Sequence, residues 1–528
     1  MRTTTRRAVL GAGIAAAGSG LLAACSTGSG GSPSPSATPA GFVSPDGREV
    51  AAAEARRGTG PVRQVRLTAT PARLDLGGGR TVASWAYGDA LPGREVRVTA
   101  GDTLALTLAN HLPVPTSVHW HGLALRNDMD GVPGLTQRPV AAGASHDYRF
   151  TVTHPGTYWL HPHSGTQQDR GLYAPLIVED PKEPLKYDKE WVVVLDDWVD
   201  GVDGSTPDAV LAELAKGMDM GGMDHGGGGM SHGGGHDMSH MSMTTASSPS
   251  PTGPPRMLMG ATSDVLGGDA GDVAYPYYLV NGRTPEDPET FSAKPGDRVR
   301  IRLINAGGDT AFRVALGDHR MTVTHTDGFP VEHIQTDALL LGMGERYDVL
   351  VEVKDGAFPL TALAEGKKRT ALALLRTGGG SAPGADVRPR ELESAPLTAD
   401  RLKAEGGVAL KERRPDRTIT LKLTGSMAKY DWAINGRTYS PSYRQPVAAG
   451  ERVRLAFVNA TTMWHPMHLH GHTFALPGGG ARKDTAIVLP GKRLEVDFDA
   501  DNPGLWMIHC HNVYHAESGM MTVLGYRA

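Results

Sequence analysis

Cysteine is nearly absent: only Cys25 and Cys510 occur in 528 residues. Two thiols cannot build a disulfide framework, and these two sit in such different surroundings that each needs its own explanation. Charge of one sign is also missing. A net charge of -4 gives no reason to expect nucleic acid or an acidic substrate as a partner. Aromatic residues make up only 6%, while glycine (68) and proline (37) are plentiful. That balance disfavours long helices and favours many short strands joined by turns. At roughly 150 residues per domain the length fits three or four units rather than one core.

The N-terminus accounts for the first cysteine. Met1-Arg2 and Thr5-Arg6-Arg7 precede an apolar stretch from Ala8 to Ala24. That stretch is too short and too rich in small residues for a stable membrane span. The paired arginines resemble a twin-arginine export signal, and Leu22-Ala23-Ala24-Cys25 resembles a bacterial lipobox. Residues 1–25 are thus expected as a signal and Cys25 as the site of a lipid anchor on the outer face of the cytoplasmic membrane. If the signal is simply cleaved, the protein is secreted. No other membrane contact is expected. Residues 26–44 begin with a run of Ser, Gly, Pro and Thr suited to a flexible tether. Cys510 is then the sole thiol of the folded body.

The body repeats itself. Gly101-Asp-Thr-Leu-Ala-Leu-Thr-Leu-Ala-Asn110, Gly296-Asp-Arg-Val-Arg-Ile-Arg-Leu-Ile-Asn305 and Gly450-Glu-Arg-Val-Arg-Leu-Ala-Phe-Val-Asn459 share a turn glycine, an acid, an alternating strand and a final asparagine. Alternation predicts a half-buried strand with one face on a core and one in water. A second strand signature starts at Gly143, Gly344 and Gly491. Two signatures in three places predict an all-β chain of three homologous β-sandwich domains. Their expected extents are 45–183, 184–385 and 386–528.

The copies differ where chemistry is concerned. Nine residues past Asn110 stands His119-Trp120-His121-Gly122, and nine past Asn459 stands His468-Leu469-His470-Gly471. Nine past Asn305 the same frame reads Val314-Ala315-Leu316-Gly317. Near the ends of the outer copies, Leu160-His161-Pro162-His163 aligns with Ile508-His509-Cys510-His511. Residues i and i+2 of a strand share a face, so each pair presents two imidazoles on one side. Eight imidazoles meeting between domains one and three imply a metal cluster, whose identity histidine alone leaves open. Cys510 decides it. His465 lies upstream, and His515 and Met520 follow. Two histidines, a thiolate and a weak thioether compose a blue, electron-transfer copper site, whereas zinc would have no use for the methionine.

The segments His-Trp-His-Gly, His-Pro-His-Ser, His465-Pro-Met-His-Leu-His-Gly and His509-Cys-His-x3-His-x4-Met resemble the copper signatures of three-domain multicopper oxidases, a family that includes laccases and bacterial cuprous oxidases. The resemblance spans about residues 60 to 528. It implies tandem cupredoxin-like Greek-key domains and four copper ions. His465, Cys510, His515 and Met520 would hold the type 1 copper, and His119 and His468 the type 2 copper. His121, His161 and His511 would hold one type 3 copper, and His163, His470 and His509 the other. Electrons enter at the type 1 site beside His465 and pass through Cys510; four of them reduce dioxygen to water. Asp130 stands where the family has an acid near the type 2 copper and is expected as a proton donor or relay. A second acid usually follows the last type 1 histidine. Here Ala516 holds that place and Glu517 comes one step later. His111, His146, His154, His319, His325, His333 and His472 are expected as surface or structural groups.

One stretch stands apart. From 217 to 243 the chain is almost entirely Gly, Met, His, Asp and Ser, with seven methionines between Met218 and Met243 and with His225, His232, His236 and His240. It cannot bury a core. Thioethers select Cu(I), so the segment suits copper gathering. Three functions are therefore in view: a cuprous oxidase of copper tolerance, a laccase-like oxidase of phenols or aromatic amines, and a copper storage or delivery protein. A monomer is expected.

Overall fold

The computed structural model describes residues 41–217 and 253–528. The export signal, Cys25 and nearly all of the tether lie outside the described residues, as does the Met/His-rich segment beyond Gly217. Six principal sheets form three sandwiches. In the first, the sheet Arg80–Tyr87, Val62–Gly77, Thr103–Asn110, Ser145–Thr151 is matched by Val96–Thr99, Ala174–Glu179, Gly156–His161, His119–His121. The middle sandwich has sheets of six and five strands, and so does the last.

The repeated signatures occupy equivalent places. Thr103–Asn110 pairs with Ser145–Thr151, Arg298–Asn305 with Arg346–Glu352, and Arg452–Asn459 with Arg493–Asp499, each antiparallel. Alternation translates directly into burial in Arg417–Thr424, where Ile419, Leu421 and Leu423 point inward between exposed Thr418, Thr420 and Lys422. The middle copy departs from the expectation of a wet outer face. Arg300 and Arg302 are buried because that face packs on the first domain. Asp348 accepts from Arg300 Nη2 at 2.5 Å and from Arg302 Nη1 at 3.0 Å, and Thr157 of the first domain donates to the same carboxylate at 2.6 Å. Guanidinium groups tolerate such burial only when paired in this way.

The final asparagine of each repeat has a physical task. Asn110 Nδ2 donates to the carbonyls of Val114 and Val140, each at 2.9 Å, and its Oδ1 accepts from Leu112 N at 2.9 Å. Asn305 makes the same three bonds with Thr310, Leu341 and Gly307. Asn459 makes them with Met463, Val488 and Thr461. The side chain thus ties down the loop leading into the His-x-His strand, which no backbone ladder holds.

Two segments sit differently from their sequence placement. The stretch expected to end the tether is already ordered: Val43 N donates to Tyr526 O at 2.9 Å, and Phe42 bridges to Arg527 just past the last strand. Residues 390–405, expected to open the third domain, run between it and the middle one, with Lys403 bridging Gly480 of the third. Leu397 bridges Leu339, and Ala404 bridges Val331. The third domain's own first strand starts at Arg417.

Candidate metal centres

The short strands of the outer domains place the histidines. His119 is in register with His161 on Gly156–His161, and His468 with His509 on Leu505–Cys510. The outer domains face each other so that the rings of His119 and His470 stack at 3.8 Å between centroids, and those of His121 and His468 at 3.9 Å. In the middle domain Val314 and Leu316, which occupy the same frame, are wholly buried in core.

Ring nitrogens of His121, His161 and His511 lie within 4.8 Å of one another, as do those of His163, His470 and His509 and those of His119, His121 and His468. His465, Cys510 and His515 form a separate group. Burial comes first, and the neighbouring histidines add to it, in holding His121, His161, His163, His470, His509 and His511 well below the ordinary imidazole pKa. Neutral imidazole is the metal-binding form.

Hydrogen bonding decides which nitrogen of each ring is free. His119 Nδ1 donates to Asp130 O at 2.9 Å, His161 Nδ1 to Pro162 O at 3.2 Å, His468 Nδ1 to Asp484 O at 2.9 Å and His509 Nδ1 to Cys510 O at 2.8 Å. His470 Nδ1 donates to Asp130 Oδ2 at 3.0 Å. The buried Nε2 atoms of His119, His161, His163 and His468 meet no protein partner, nor does either nitrogen of His511. His470 Nε2 and His509 Nε2, both left with lone pairs, face each other at 3.1 Å. Two lone pairs at that separation repel unless a cation lies between them. The donor set therefore fits metal ions.

The sulfur site follows the same logic. Cys510 Sγ lies 3.7 Å from Nδ1 of both His465 and His515. Thr461 Oγ1 is 2.8 Å from His465 Nε2, and Asp272 Oδ2 accepts from His515 Nε2 at 3.0 Å. Each outward nitrogen is thus engaged, and each Nδ1 turns toward the sulfur. Burial lowers the His515 pKa, but Asp272 and Cys510 outweigh it and hold the group up at about 10. Asn512 caps the helix Val513–Glu517, accepting from the backbone of Tyr514 and His515, and this turn brings His515 back to Cys510. Met520 is fully buried, its amide bonded to His515 O at 3.0 Å and its carbonyl to Cys510 N at 3.1 Å.

Asp130 is fully buried and touches rings from both outer domains, with Oδ1 3.2 Å from His119 Nδ1 in addition to its bond to His470. Glu517, solvent-exposed, also lines a cavity of about 30 Å³ whose walls include His161, His163, His509 and His511. That space suffices for a water molecule. His319 and His472 are buried in protein hydrogen bonds, the latter to His470 O at 3.0 Å and Tyr526 at 2.6 Å. Sequence inspection missed Asp484, Asp272 and Thr461. The only hint of Asp484 was a charged run, Arg482-Lys483-Asp484, opening an otherwise apolar strand.

Three models described as multicopper oxidase match the chain over residues 68–183, 240–380 and 412–527. The chain belongs to the multicopper oxidase family: it is a copper-dependent oxidoreductase that uses dioxygen as acceptor. Multicopper oxidase MmcO of Mycobacterium tuberculosis is 46% identical over 530 residues, which cover 99% of this chain and 97% of that protein. A copper resistance protein A homolog of Pseudomonas syringae pv. tomato is 30% identical, covering 86% of this chain and 90% of its own length. The fold matches that of a multicopper oxidase from Pseudomonas thermotolerans with a TM-score of 0.63 at 26% identity, over 88% of this chain and 99% of that one.

Proposed function

We propose that this enzyme takes its electrons from Cu(I), acting as a cuprous oxidase in copper tolerance with four resident copper ions. His465, Cys510, His515 and Met520 hold the type 1 ion, and His119 and His468 hold the type 2 ion. His121, His161 and His511 hold one type 3 ion, and His163, His470 and His509 the other. Copper in these sites supplies one-electron transfer and the reduction of dioxygen to water.

One observation carries the choice of reductant. Described residues on both sides of the Met/His-rich segment come close to the Cys510 site. Gly217 packs against Ala428, two residues before Tyr430, whose hydroxyl donates to Asp272 Oδ2 at 2.7 Å. On the returning side Leu258 N donates to Asp272 O at 2.7 Å, and Met259 is 62% exposed. Asp272 in turn binds His515. A tract of soft thioethers is therefore flanked on both sides by chain that reaches a neighbour of a candidate ligand of the electron-accepting site. The names of two relatives, copper resistance protein A and its homolog, agree with this reading.

The chain's residues then divide the work. Cys510 faces the entry site while its chain neighbours His509 and His511 join different type 3 groups, so a few covalent bonds link the centres. Asp130 orients His119 and His470 and is the carboxyl we place as the proton relay. The N-terminal segment directs export, Cys25 carries a lipid anchor, and the folded body is a monomer. Mass spectrometry of the mature N-terminus and sedimentation check those points.

The test is oxygen uptake by the copper-loaded protein with Cu(I) and with a phenol, each with and without residues 217–243. Efficient Cu(I) oxidation that the deletion selectively slows, with the blue absorbance intact, supports the proposal. An unaffected rate, with the phenol as the better substrate, makes the enzyme laccase-like instead.

A further inference from the structure

The middle domain lacks the paired histidines of its neighbours, yet it touches the cluster twice. Arg346, fully buried at the start of Arg346–Glu352, forks onto Asp484: Nη1 to Oδ1 at 2.7 Å and Nη2 to Oδ2 at 2.6 Å. The same Oδ1 accepts from His121 Nε2 at 3.0 Å. The other guanidinium bonds reach Thr157 O at 3.1 Å in the first domain and Gly344 O at 3.0 Å in the second. One side chain therefore joins all three domains next to a candidate ligand.

His121 is unusual among the cluster histidines. His119, His161, His468, His470 and His509 engage Nδ1 outward and keep Nε2 for the centre, whereas His121 engages Nε2 and leaves Nδ1 without a partner. The Asp484 carboxylate sets this reversed tautomer, and the Arg346 fork fixes the carboxylate. Without Arg346, Asp484 is a buried charge with its main compensation gone.

The second contact is Gly344. A methyl group there would lie 2.9 Å from His511 Cδ2 and 3.0 Å from His121 Cε1. At Gly143 and Gly491, the equivalent positions of the outer repeats, a methyl group would meet nothing within 4 Å. All three have positive φ, at 76°, 84° and 66° for Gly143, Gly344 and Gly491. The outer glycines serve only the turn. Gly344 also lets the backbone lie flush against two candidate ligands.

We infer that the middle domain, though it lacks the paired histidines, braces the His121, His161 and His511 site, with Arg346, acting through Asp484, and Gly344 as positioning residues. The inference rests on the copper assignment above, and the experiment separates the two. Wild type, Arg346→Lys, Arg346→Met, Gly344→Ala and the double variant Arg346→Met with Asp484→Asn are loaded with copper. Copper per chain, blue absorbance and the EPR-visible fraction of copper are then measured. In wild type about half the copper is EPR-silent, because the two type 3 ions couple magnetically; if none is silent, the copper assignment itself fails. Arg346→Met and Gly344→Ala are expected to keep the blue absorbance but lose most of the silent fraction. Arg346→Lys is expected to keep part of it. The double variant, which retains an oxygen acceptor for His121 without the stranded charge, is expected to recover more than Arg346→Met alone. An unchanged silent fraction in Arg346→Met and Gly344→Ala overturns the inference. So does loss of the blue absorbance in parallel with the silent fraction in Arg346→Lys and Gly344→Ala, since that marks general packing.

Discussion

Replacing Asn459 with alanine removes four buried hydrogen bonds: to Met463 O at 2.7 Å, to Val488 O at 3.0 Å, from Thr461 N at 2.9 Å and from Thr461 Oγ1 at 2.8 Å. At about 1–1.5 kcal/mol for each, the loss is about 4–6 kcal/mol. Asn305 makes the first three of these bonds at 2.9, 3.1 and 3.0 Å in the middle domain, so Asn305→Ala is expected to cost nearly as much, about 3–5 kcal/mol. The functional consequences differ. The loop freed in Asn459→Ala holds Thr461 and leads into His465, whereas the loop freed in Asn305→Ala leads only to Val314 and Leu316. Urea unfolding of the copper-free proteins should show similar losses. Blue absorbance after copper loading should fall sharply in Asn459→Ala alone, and an orienting partner lost at one remove from a metal lowers affinity by about 10–100-fold. Equal bleaching of the two variants would refute the reasoning, because the asparagine would then serve the fold generally and not the placement of His465.

Other consequences are open to measurement. Asp130→Asn is expected to retain copper but slow oxygen consumption by about 10–100-fold, since an amide oxygen can still accept from His470 Nδ1 but cannot take up and release a proton; a change under about twofold removes Asp130 from the mechanism. Asp272→Ala takes the acceptor from His515 Nε2 and should shift the type 1 potential and weaken Cu(I) oxidation more than phenol oxidation, which voltammetry and paired kinetics would read. Burial raises the Asp348 pKa, but Arg300 and Arg302 outweigh it and hold the carboxyl below its ordinary range. Its contribution is therefore complete above the unfolded value of about 4 and is lost as pH falls further. Asp348→Asn should accordingly be less stable than wild type at neutral pH, with the gap closing in acid unfolding below that pH.

Much of this architecture can be read from the chain because it is periodic. Strand alternation, the turn glycines and the final asparagines recur at fixed offsets, and the His-x-His pairs stand out against a copy that lacks them. Single contacts between domains leave no such trace. Arg346 and Asp484 lie 138 residues apart, and each alone looks like an ordinary charge on a strand. Arg300 and Arg302 suggested a wet face, because local alternation cannot register a neighbouring domain. Residues 390–405 mark no boundary for a related reason: an irregular segment carries no period, and this one touches both the middle and the third domain.

The division of the histidines between the first and last domains has a consequence in polymer terms. The chain from His121 to His468 is a loop of about 350 residues, and drawing together the ends of a flexible loop that long would cost about 5 kcal/mol. The folded middle domain meets that cost before copper arrives. It is a rigid spacer, so the two half-sites are held at high effective concentration and need not find each other by diffusion. Lengthening the connections on either side of it should therefore weaken copper retention in the cluster far more than at the Cys510 site, whose four candidate ligands lie in one domain and which takes only Asp272 from the middle one.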